Sequence, residues 1–495
     1  MVSIVKTNAV TELGTLISGL SLSTETTSEL VLILKTASLG DVDSSTIKTE
    51  LLSRLNSANT ATSLEEIATL TAALHLITEN RTIFVTDLTD LTLLQVDPGT
   101  VVFVINENLP YVYRSDDTWV LLFPTLQNPK PLNNLWTWGT NTNGQLGDAT
   151  TVSKSSPVSV VGDYVDWVQV EALSSHTVAL RANGTAWAWG LNDTGQLGDG
   201  TTVSKSSPVS VVGGFSDWTQ LSGGFKHSLG LRGNGTLWAW GYNFAGELGD
   251  GTTVDKSSPV SVVGGFTNWT QVSSGQRHIV ALRANGTAWG WGDNSFGRIG
   301  DGTTANSSSP VSVVGGFTNW IQVSGGGVHS LGVQANGTAW AWGGNSAGSL
   351  GDGTTTNTSS PVSVVGGFTD WTQVSAGSNH SLGLKSNGIA YAWGSGQDGK
   401  LGDDTVVAKS SPVLVVGGFT DWVQLDGGQS HSLGLRANGT AWAWGINTAG
   451  ELGDNTATTN TSSPVSVVGG FTDWVQISAA TSVGTSTHSA GIRGG

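Results

Sequence analysis

Two residue types that could support acid–base or metal chemistry recur at a regular interval in this chain of 495 residues. Each histidine of the series lies beside serine or a small or apolar residue, and each is one repeat away from the next. A zinc site instead gathers its ligands at one point. We therefore interpret these histidines as structural hydrogen-bonding groups. They are His176, His227, His278, His329, His380, His431 and His488.

One aspartate per repeat ends a Leu-Gly-Asp tripeptide, in which Ile299 replaces leucine once. One carboxylate per loop lacks the alternating oxygen ligands of a calcium loop, whereas aspartate readily caps a turn. A turn-capping role is favoured, and a cation site stays open as the alternative. The aspartates are Asp148, Asp199, Asp250, Asp301, Asp352, Asp403 and Asp454.

No nucleophile, base and orienting group occur together at a unique position of the sequence. The glycine-rich stretches lack the Lys-Ser/Thr ending of a phosphate-binding loop. We therefore predict a protein that is not an enzyme, with no cofactor and no metal.

The elements that position these residues are set by Trp-Gly pairs spaced 51 residues apart. A fixed period of this size is typical of repeat proteins, in which each unit buries its apolar face against its neighbours. Seven copies that close on one another are the natural interpretation. The pairs begin at Trp138, Trp189, Trp240, Trp291, Trp342, Trp393 and Trp444.

One repeat, taken from Trp218, predicts four antiparallel strands. Asn234-Gly235 favours a tight hairpin between the second and third strands, and Pro259 suits an edge strand. Two indoles of the third strand are expected to be buried between repeats. The predicted strands are 218–222, 227–231, 237–240 and 258–263. Seven such units predict a mostly β fold, a seven-bladed β-propeller of 51-residue repeats.

Closure of this ring is also visible in the sequence. The propeller starts at Leu135 with a third strand and ends with a first strand at Trp474 and a second strand at His488. The seventh blade is therefore predicted to be shared by both ends of the propeller segment.

The totals exclude several classes of partner. The net charge is −16, only 12% of residues are charged, and there is no cysteine. Without a basic cluster, binding to nucleic acid is not expected. No apolar run approaches the ~18 residues of a membrane span, and no cleaved leader is evident, so we expect a soluble protein without membrane insertion.

The first part of the chain has a different composition from the rest, since 20 of the 21 tryptophans follow residue 134. We predict a helical anchoring region over 1–80, a small β-meander module over 81–123, a Pro-rich linker over 124–134, and the propeller over 135–495. The meander strands are expected at 100–106, 110–114 and 118–123. The segment from Gly99 to Val120 resembles small β modules of tailed-bacteriophage structural proteins.

The repeat itself resembles a known family. His-Ser-Leu-Gly-Leu, Asn-Gly, Trp-Ala-Trp-Gly and Gly-Gln-Leu-Gly-Asp are similar to the regulator-of-chromosome-condensation repeat. They occur between His176 and Asp199 with Thr177, Val178 and Ala179 in place of Ser, Leu and Gly. The resemblance implies a seven-bladed propeller. It leaves function open, because the family includes an exchange factor, a photoreceptor and secreted inhibitors.

The repeats differ from one another in only two of their four connections. Turns between the second and third strands, and between the fourth strand and the next first strand, are nearly invariant. The other two loops vary and should emerge on one face, with the chain entering at the opposite face. The candidate partner-binding residues are Leu191, Asp193, Phe225, Lys226, Tyr242, Phe244, Gln276, Arg277, Asp293, Phe296, Arg298, Lys400 and Ile446. Exposed aromatic residues beside arginine and lysine are typical of recognition surfaces, and neutral variation of loops is the alternative.

These features predict a virion appendage of a tailed bacteriophage, a fibre, spike or decoration protein. Its N-terminal region would dock onto virion proteins, with a homotrimer as one arrangement, and its propeller would bind a host-surface protein or glycan. It would be assembled in the host cytoplasm and act outside the cell. A free bacterial binding or inhibitor protein is the alternative. An exchange factor or chromatin binder is less favoured. Such a protein would need a wedge-like insertion and a basic tail, and neither feature is found in six of the blades.

Overall fold

The computed structural model describes the backbone of four strands between residues 82 and 121, and then residues 133–162, 164–481 and 487–494. The chain divides into two units, Met1–Lys130 and Pro131–Gly495. The helical region predicted over 1–80 lies outside the described residues, as does the predicted linker up to residue 132.

The first unit contains one four-stranded sheet in the order β1-β2-β3-β4. Its strands are β1 (Thr82–Val85), β2 (Val101–Val104), β3 (Leu109–Tyr113) and β4 (Trp119–Leu121). Strands β2 to β4 pair antiparallel, whereas β1 pairs with β2 in parallel. Sequence analysis did not predict β1, because a parallel partner is reached through a long connection that no local turn pattern indicates.

The second unit is a ring of seven four-stranded sheets, which we call blades 1 to 7. Blades 1 to 6 follow one another along the chain, and blade 7 combines strands from both ends of the unit. Blade 1 contains β7 (Trp167–Ala172), β8 (His176–Arg181), β9 (Ala186–Gly190) and β10 (Lys205–Ser210); blade 2 contains β11 (Trp218–Gly223), β12 (His227–Arg232), β13 (Leu237–Gly241) and β14 (Lys256–Ser261); blade 3 contains β15 (Trp269–Ser274), β16 (His278–Arg283), β17 (Ala288–Gly292) and β18 (Ser307–Ser312). Blade 4 contains β19 (Trp320–Gly325), β20 (His329–Gln334), β21 (Ala339–Gly343) and β22 (Thr358–Ser363); blade 5 contains β23 (Trp371–Ala376), β24 (His380–Lys385), β25 (Ala390–Gly394) and β26 (Lys409–Leu414); blade 6 contains β27 (Trp422–Gly427), β28 (His431–Arg436), β29 (Ala441–Gly445) and β30 (Thr461–Ser466). Blade 7 contains β31 (Trp474–Ala479), β32 (His488–Arg493), β5 (Asn134–Gly139) and β6 (Lys154–Ser159), and two single-turn 3-10 helices lie at Ser295–Gly297 and Gln397–Gly399.

Blade 2 illustrates why these residues form this unit. Asn234 and Gly235 make the predicted hairpin: Gly235 has a φ of 75°, and the Asn234 side chain accepts hydrogen bonds from the backbone N–H and the hydroxyl of Thr236. Pro259 lies in β14, which pairs with β13 alone, so its missing N–H costs no ladder bond. This strand begins at Lys256, two residues earlier than predicted, because a bulge shifts its register against β13.

Ring closure is confirmed. The C-terminal strand β32 pairs antiparallel with β5, so that His488 lies opposite Gly139 and Ser489 opposite Trp138. Completing the last sheet with the first strands leaves no open edge between the ends of the ring.

The apolar core lies at the seams between blades. Trp218 and Trp240 of blade 2 pack with Leu180, Ala188 and Leu197 of blade 1, and the other seams repeat this arrangement. The expectation of two buried indoles from each third strand is corrected here. The tryptophan of the Trp-Gly pair is fully buried and the one two residues earlier is half-buried, while the second buried indole opens the first strand.

A ring of glutamines joins the first strands around the axis. Gln220 donates its amide to the Val272 carbonyl of the next blade and accepts the Val272 N–H, both at 3.0 Å. The same paired contact occurs at all seven seams, including Gln476 of blade 7 with Val170 of blade 1. Sequence analysis missed this ring, although Trp-x-Gln in every first strand was a visible signal.

One exposed turn offers a test of backbone strain. The residue after each repeated aspartate has positive φ, and it is glycine in four blades but Ala149 in blade 7, with φ 62°. A left-handed conformation costs a non-glycine residue about 1–2 kcal/mol. We expect Ala149→Gly to raise the free energy of unfolding by about 1 kcal/mol, after the entropy cost of glycine. Denaturant unfolding followed by tryptophan fluorescence measures it. The reverse change, Gly251→Ala, should lower stability, and a stabilising effect of both changes would contradict this explanation.

Candidate functional site: the loop face of the propeller

The repeated histidines hydrogen-bond across the seams, as predicted. His278 Nε2 lies 2.7 Å from Ser330 Oγ of the next blade, and Ser330 donates to the Arg298 carbonyl. Because each contacted hydroxyl donates to a carbonyl, it accepts the Nε2 proton of the histidine, so the neutral ring is the Nε2–H tautomer. The bonded pairs are His176–Ser228, His227–Ser274, His278–Ser330, His329–Ser381, His380–Ser432, His431–Ser489 and His488–Thr177.

Burial keeps these imidazoles uncharged. It lowers the pKa of His176, His227, His329 and His488 to about 3 and that of His431 to about 4, and it lowers the pKa of His278 and His380 well below the usual value. Each Nδ1 is buried without a hydrogen-bond partner among the described residues. In that part of the chain, no three His, Asp or Glu residues are placed together to hold a metal ion.

The repeated aspartates cap turns, which was the favoured interpretation. Asp199 accepts hydrogen bonds from the backbone N–H and hydroxyl of Thr201 at 3.0 and 2.8 Å, and from the Asn192 side chain at 3.1 Å. The same Asn-Asp-Thr contacts recur in six of the seven blades; in blade 5, Asp403 retains the threonine contacts. They fold the long connection between third and fourth strands into a fixed shape.

The two variable loops meet on one face of the ring, as predicted. The Tyr242 N–H, after the third strand of blade 2, donates to the Lys226 carbonyl before the second strand. Equivalent bonds join Leu191 to Ser175, Asp293 to Arg277 and Ile446 to Ser430. We call this side the loop face. On the opposite side, the plain face, each Asn-Gly hairpin contacts the connection that enters the next blade, as Gly184 does with Trp218.

The plain face repeats one stacked cluster in six of the seven blades, and Gln334 replaces the cation in blade 4. In blade 2 the Arg232 guanidinium lies 4.1 Å from the centroid of the Phe215 ring and 2.8 Å from the Asp217 carboxylate. Closely related contacts are made by Arg436, and by Lys385 where lysine replaces arginine. Residue 133 also lies on this face, where Asn133 N donates to the Val165 carbonyl at 2.7 Å.

The structure divides the thirteen candidate residues by exposure. Ten are partly or largely accessible on the loop face, led by Phe244 at 72% and Phe296 at 48% exposure. The accessible ten are Leu191, Asp193, Phe225, Lys226, Tyr242, Phe244, Arg277, Asp293, Phe296 and Ile446.

The remaining three, Gln276, Arg298 and Lys400, are buried and so are not part of the accessible surface of the loop face. Arg298 donates to the Ser295 and Gly327 carbonyls, and Lys400 donates to the Asn379 side chain. Both occupy the glutamine position of Gly-Gln-Leu-Gly, whose backbone carbonyl accepts the indole N–H of the next blade. The position of Arg298 and Lys400 within the repeat was the sequence signal that could have distinguished them from exposed loop residues. Gln276 donates to Ser378 of blade 5, two blades away.

Five of the accessible residues form one cluster, the aromatic–arginine patch, defined as Phe225, Lys226, Tyr242, Phe244 and Arg277. The Tyr242 and Phe244 rings are stacked with centroids 6.3 Å apart, and the Arg277 guanidinium lies 5.8 Å from the Phe225 centroid and 5.6 Å from the Tyr242 centroid. The Lys226 ammonium pairs with the Asp193 carboxylate. Aromatic rings and arginine are the groups that contribute most binding energy at protein interfaces.

Two carboxyl groups that sequence analysis did not single out lie on the first strands. Glu171 of blade 1 and Asp426 of blade 6 occupy the position held by serine in the other blades. Burial, and then the nearby Asp426 carboxylate, raise the pKa of Glu171 to about 8. Burial also raises the pKa of Asp426 to about 6, although hydrogen bonds from Ala479 and Ser375 oppose this shift.

This architecture is shared with known proteins. Residues 131–419 match the RCC1-like domain, and residues 422–451 match the regulator of chromosome condensation (RCC1) repeat. The chain belongs to the RCC1-like domain family. Ultraviolet-B receptor UVR8 of Arabidopsis thaliana is 29% identical to this RCC1-like protein over 327 residues, which cover 64% of this chain and 73% of UVR8. E3 ubiquitin-protein ligase HERC2 of Homo sapiens is 30% identical over 290 residues, which cover 56% of this chain but only 6% of HERC2.

Solved structures agree on the fold of the RCC1-like unit. Prp20p from Saccharomyces cerevisiae has a TM-score of 0.66 and 20% identity, and the match covers 74% of this chain and 92% of Prp20p. Human WBSCR16 has a TM-score of 0.65 and 21% identity, with 73% of this chain and 99% of that protein covered. No helix within the described residues is long and apolar enough to cross a membrane.

Proposed function

We propose that this RCC1-like protein is a non-enzymatic binding protein whose loop face holds a partner macromolecule. The observation that carries the proposal is the asymmetry between the two faces. The plain face repeats one stacked cluster in six of the seven blades, whereas the loop face differs in every blade and carries the aromatic–arginine patch. Exposed aromatic side chains clustered on one face are typical of an interaction site, and neutral variation of the loops does not explain such clustering.

The relatives support a binding role of this general kind. UVR8 is named as a receptor, and the Prp20p structure is described with that protein's binding to Gsp1p and histones. Those partners belong to those proteins. For this chain, with its net charge of −16, we propose a partner other than nucleic acid.

The finer form of the proposal is a virion appendage of a tailed bacteriophage. Its N-terminal region would dock onto virion proteins, and its loop face would bind a protein or glycan on the host surface, outside the cell. The support is the sequence resemblance of the segment from Gly99 to Val120. The second candidate is a free binding or inhibitor protein, which the similarity to the cellular proteins UVR8 and HERC2 favours.

Binding through the loop face can be tested on whole cells. We expect the fluorescently labelled full chain to bind a subset of bacterial strains in flow cytometry, and Tyr242→Ala/Phe244→Ala/Arg277→Ala to reduce that binding at least roughly tenfold, because hot-spot residues typically contribute 2 kcal/mol or more each. The control, Ile321→Ala/Val475→Ala, removes similarly exposed apolar side chains from first strands and should leave binding unchanged. Equal losses in both variants, with both folded, would contradict a role for the loop face.

The two candidates differ in where the protein is found. Mass spectrometry of purified virus particles from producing cells should detect the chain at a stoichiometric level if it is an appendage. Its presence only in the soluble or secreted fraction would favour the free binding protein.

A further inference from the structure

The charge of Arg277 is not neutralised within the described part of the chain. Three other cations among the candidate residues have partners there: Lys226 pairs with Asp193, Arg298 with Asp293 and backbone carbonyls, and Lys400 with Asn379. Among the residues that the structure describes, the Arg277 guanidinium contacts the rings of Phe225 and Tyr242 and has no hydrogen-bond or ion-pair partner. Its five N–H donors are thus free to meet an anion.

The buried carboxyl of Glu247 lies close enough to Arg277 for their charges to interact, but among the described residues the two form no ion pair. At the seam between blades 6 and 7, the equivalent Glu451 of blade 6 accepts a hydrogen bond from Thr487 of blade 7, the residue before His488. Arg277 holds that same position before His278, yet Glu247 Oε1 is buried without a partner among the described residues. Burial raises the pKa of Glu247 to about 7, which favours the neutral carboxyl and weakens its compensation of the Arg277 charge.

Asp293 is the other carboxylate close enough to influence Arg277. Its oxygen accepts the Ser295 N–H at 2.7 Å and lies 3.7 Å from the Arg298 guanidinium. These contacts hold Asp293 to its own loop. Arg277 therefore offers a planar donor group next to an apolar stack, Tyr242 and Phe244, of which Phe244 is 72% exposed.

We propose that the aromatic–arginine patch binds an acidic segment of a partner protein, with an Asp or Glu carboxylate on Arg277 and an adjacent apolar side chain on the Tyr242–Phe244 stack. This inference rests on the proposed function, because it names the partner chemistry of the same face. Arginine meets a carboxylate with two parallel hydrogen bonds, a geometry that a lysine cannot reproduce. The net charge of −16 opposes non-specific association with acidic chains, so binding of an acidic segment depends on the local contacts of this patch.

A protein segment fits the patch better than a glycan. A buried sugar presents several hydroxyls, each of which needs a hydrogen-bond partner to avoid a desolvation cost. The patch offers three aromatic rings, one free guanidinium and one ammonium already paired with Asp193. The Arg277 charge flanked by aromatic rings suits a carboxylate side chain that has a hydrophobic side chain next to it.

The test uses the full chain and an array of synthetic 12-residue peptides in matched pairs, in which Glu is replaced by Gln while Leu, Phe or Trp neighbours are kept. We expect the wild-type chain to bind acidic-apolar peptides and to lose roughly tenfold or more in affinity for the Gln versions, as charge-assisted pairs contribute about 1.5–3 kcal/mol. Arg277→Gln should abolish this discrimination. Valine and asparagine occupy the equivalent positions 328 and 379, so an uncharged residue is compatible with the fold.

Matched controls separate the aromatic stack from a general effect of loop mutation. Tyr242→Ala/Phe244→Ala should weaken both members of each peptide pair. Val152→Ala/Val203→Ala, which removes exposed apolar side chains from the connections between third and fourth strands in blades 7 and 1, should change neither. An unchanged Glu-over-Gln preference in Arg277→Gln would overturn the proposal, as would binding to acidic polysaccharide with no binding to any peptide. If the wild-type chain self-associates in sedimentation experiments and Arg277→Gln does not, the proposed partner protein is wrong and the patch binds a second copy of this chain.

The outcomes for the two proposals are distinguishable. If Tyr242→Ala/Phe244→Ala reduces cell binding but peptide preference does not depend on Arg277, the loop face is the binding face and only the acidic partner is wrong. If neither assay responds to these residues, the loop face itself is not the binding face.

Discussion

Lowering the pH from 7 to 5 should destabilise the propeller steeply. Seven imidazoles are buried and neutral in the folded ring, and they regain an ordinary pKa near 6.5 when the chain unfolds. The unfolded state therefore binds more protons below pH 6.5, and each such proton lowers the free energy of unfolding by about 1.4 kcal/mol per pH unit until the folded pKa is reached. Their contribution is complete above pH 6.5 and is lost progressively towards pH 3.

Three acidic groups oppose this trend. Glu171, Glu247 and Asp426 have raised pKa values of about 8, 7 and 6, so the folded state holds their protons more tightly than the unfolded state. Their effect favours folding as the pH falls through those values. Between pH 6 and 5 the seven histidines outnumber them, and we expect a net uptake of roughly four protons on unfolding.

The measurement is the denaturant midpoint of the full chain at several pH values, followed by tryptophan fluorescence, because 20 of the 21 tryptophans follow residue 134. His380→Gln should reduce the number of protons taken up on unfolding by about one. It should also lower the free energy of unfolding at pH 8, because the hydrogen bond to Ser432 is lost. A midpoint that stays constant between pH 7 and 5 would show that the histidines are not desolvated in the folded ring.

Trp240→Ala should cost about 3–5 kcal/mol of unfolding free energy, the usual range for removing a large buried aromatic side chain. Trp240 is fully buried at the seam between blades 1 and 2, and its indole N–H donates to the Gln196 carbonyl at 3.0 Å. The loss combines a cavity with a missing bond between blades. Denaturant unfolding measures the change.

The control for this prediction comes from the same strand. Trp238→Ala removes an indole that is only half-buried and bonds to Thr236 within its own blade, so its cost should be clearly smaller. Trp240→Phe should fall between the two, since it keeps most of the apolar area and loses the donor. If Trp238→Ala destabilised the protein as much as Trp240→Ala, the seam would not be the main source of stability.

How much of the candidate site was predictable depends on which residues carry it. Tyr242, Phe244 and Arg277 were identified from differences among repeats, and they lie together on the loop face. Arg298 was chosen by the same argument and is buried, because its position in Gly-Gln-Leu-Gly directs its side chain onto the Gly327 carbonyl. Variation between repeats identifies the loops but does not distinguish an exposed cation from an internal one.

The sequence by itself determined the blade number, the shared seventh blade and the separation into two faces. These follow from the 51-residue period, from Asn-Gly hairpins, and from a segment that starts with a third strand, all of which are local patterns. Only the tertiary structure decided which side chains are free on the loop face. Among the described residues, Lys226 is paired and Arg277 is not. The side chains around each of them come from other loops, about 30 residues away in the chain or on the next blade. A local sequence pattern contains no information about such contacts.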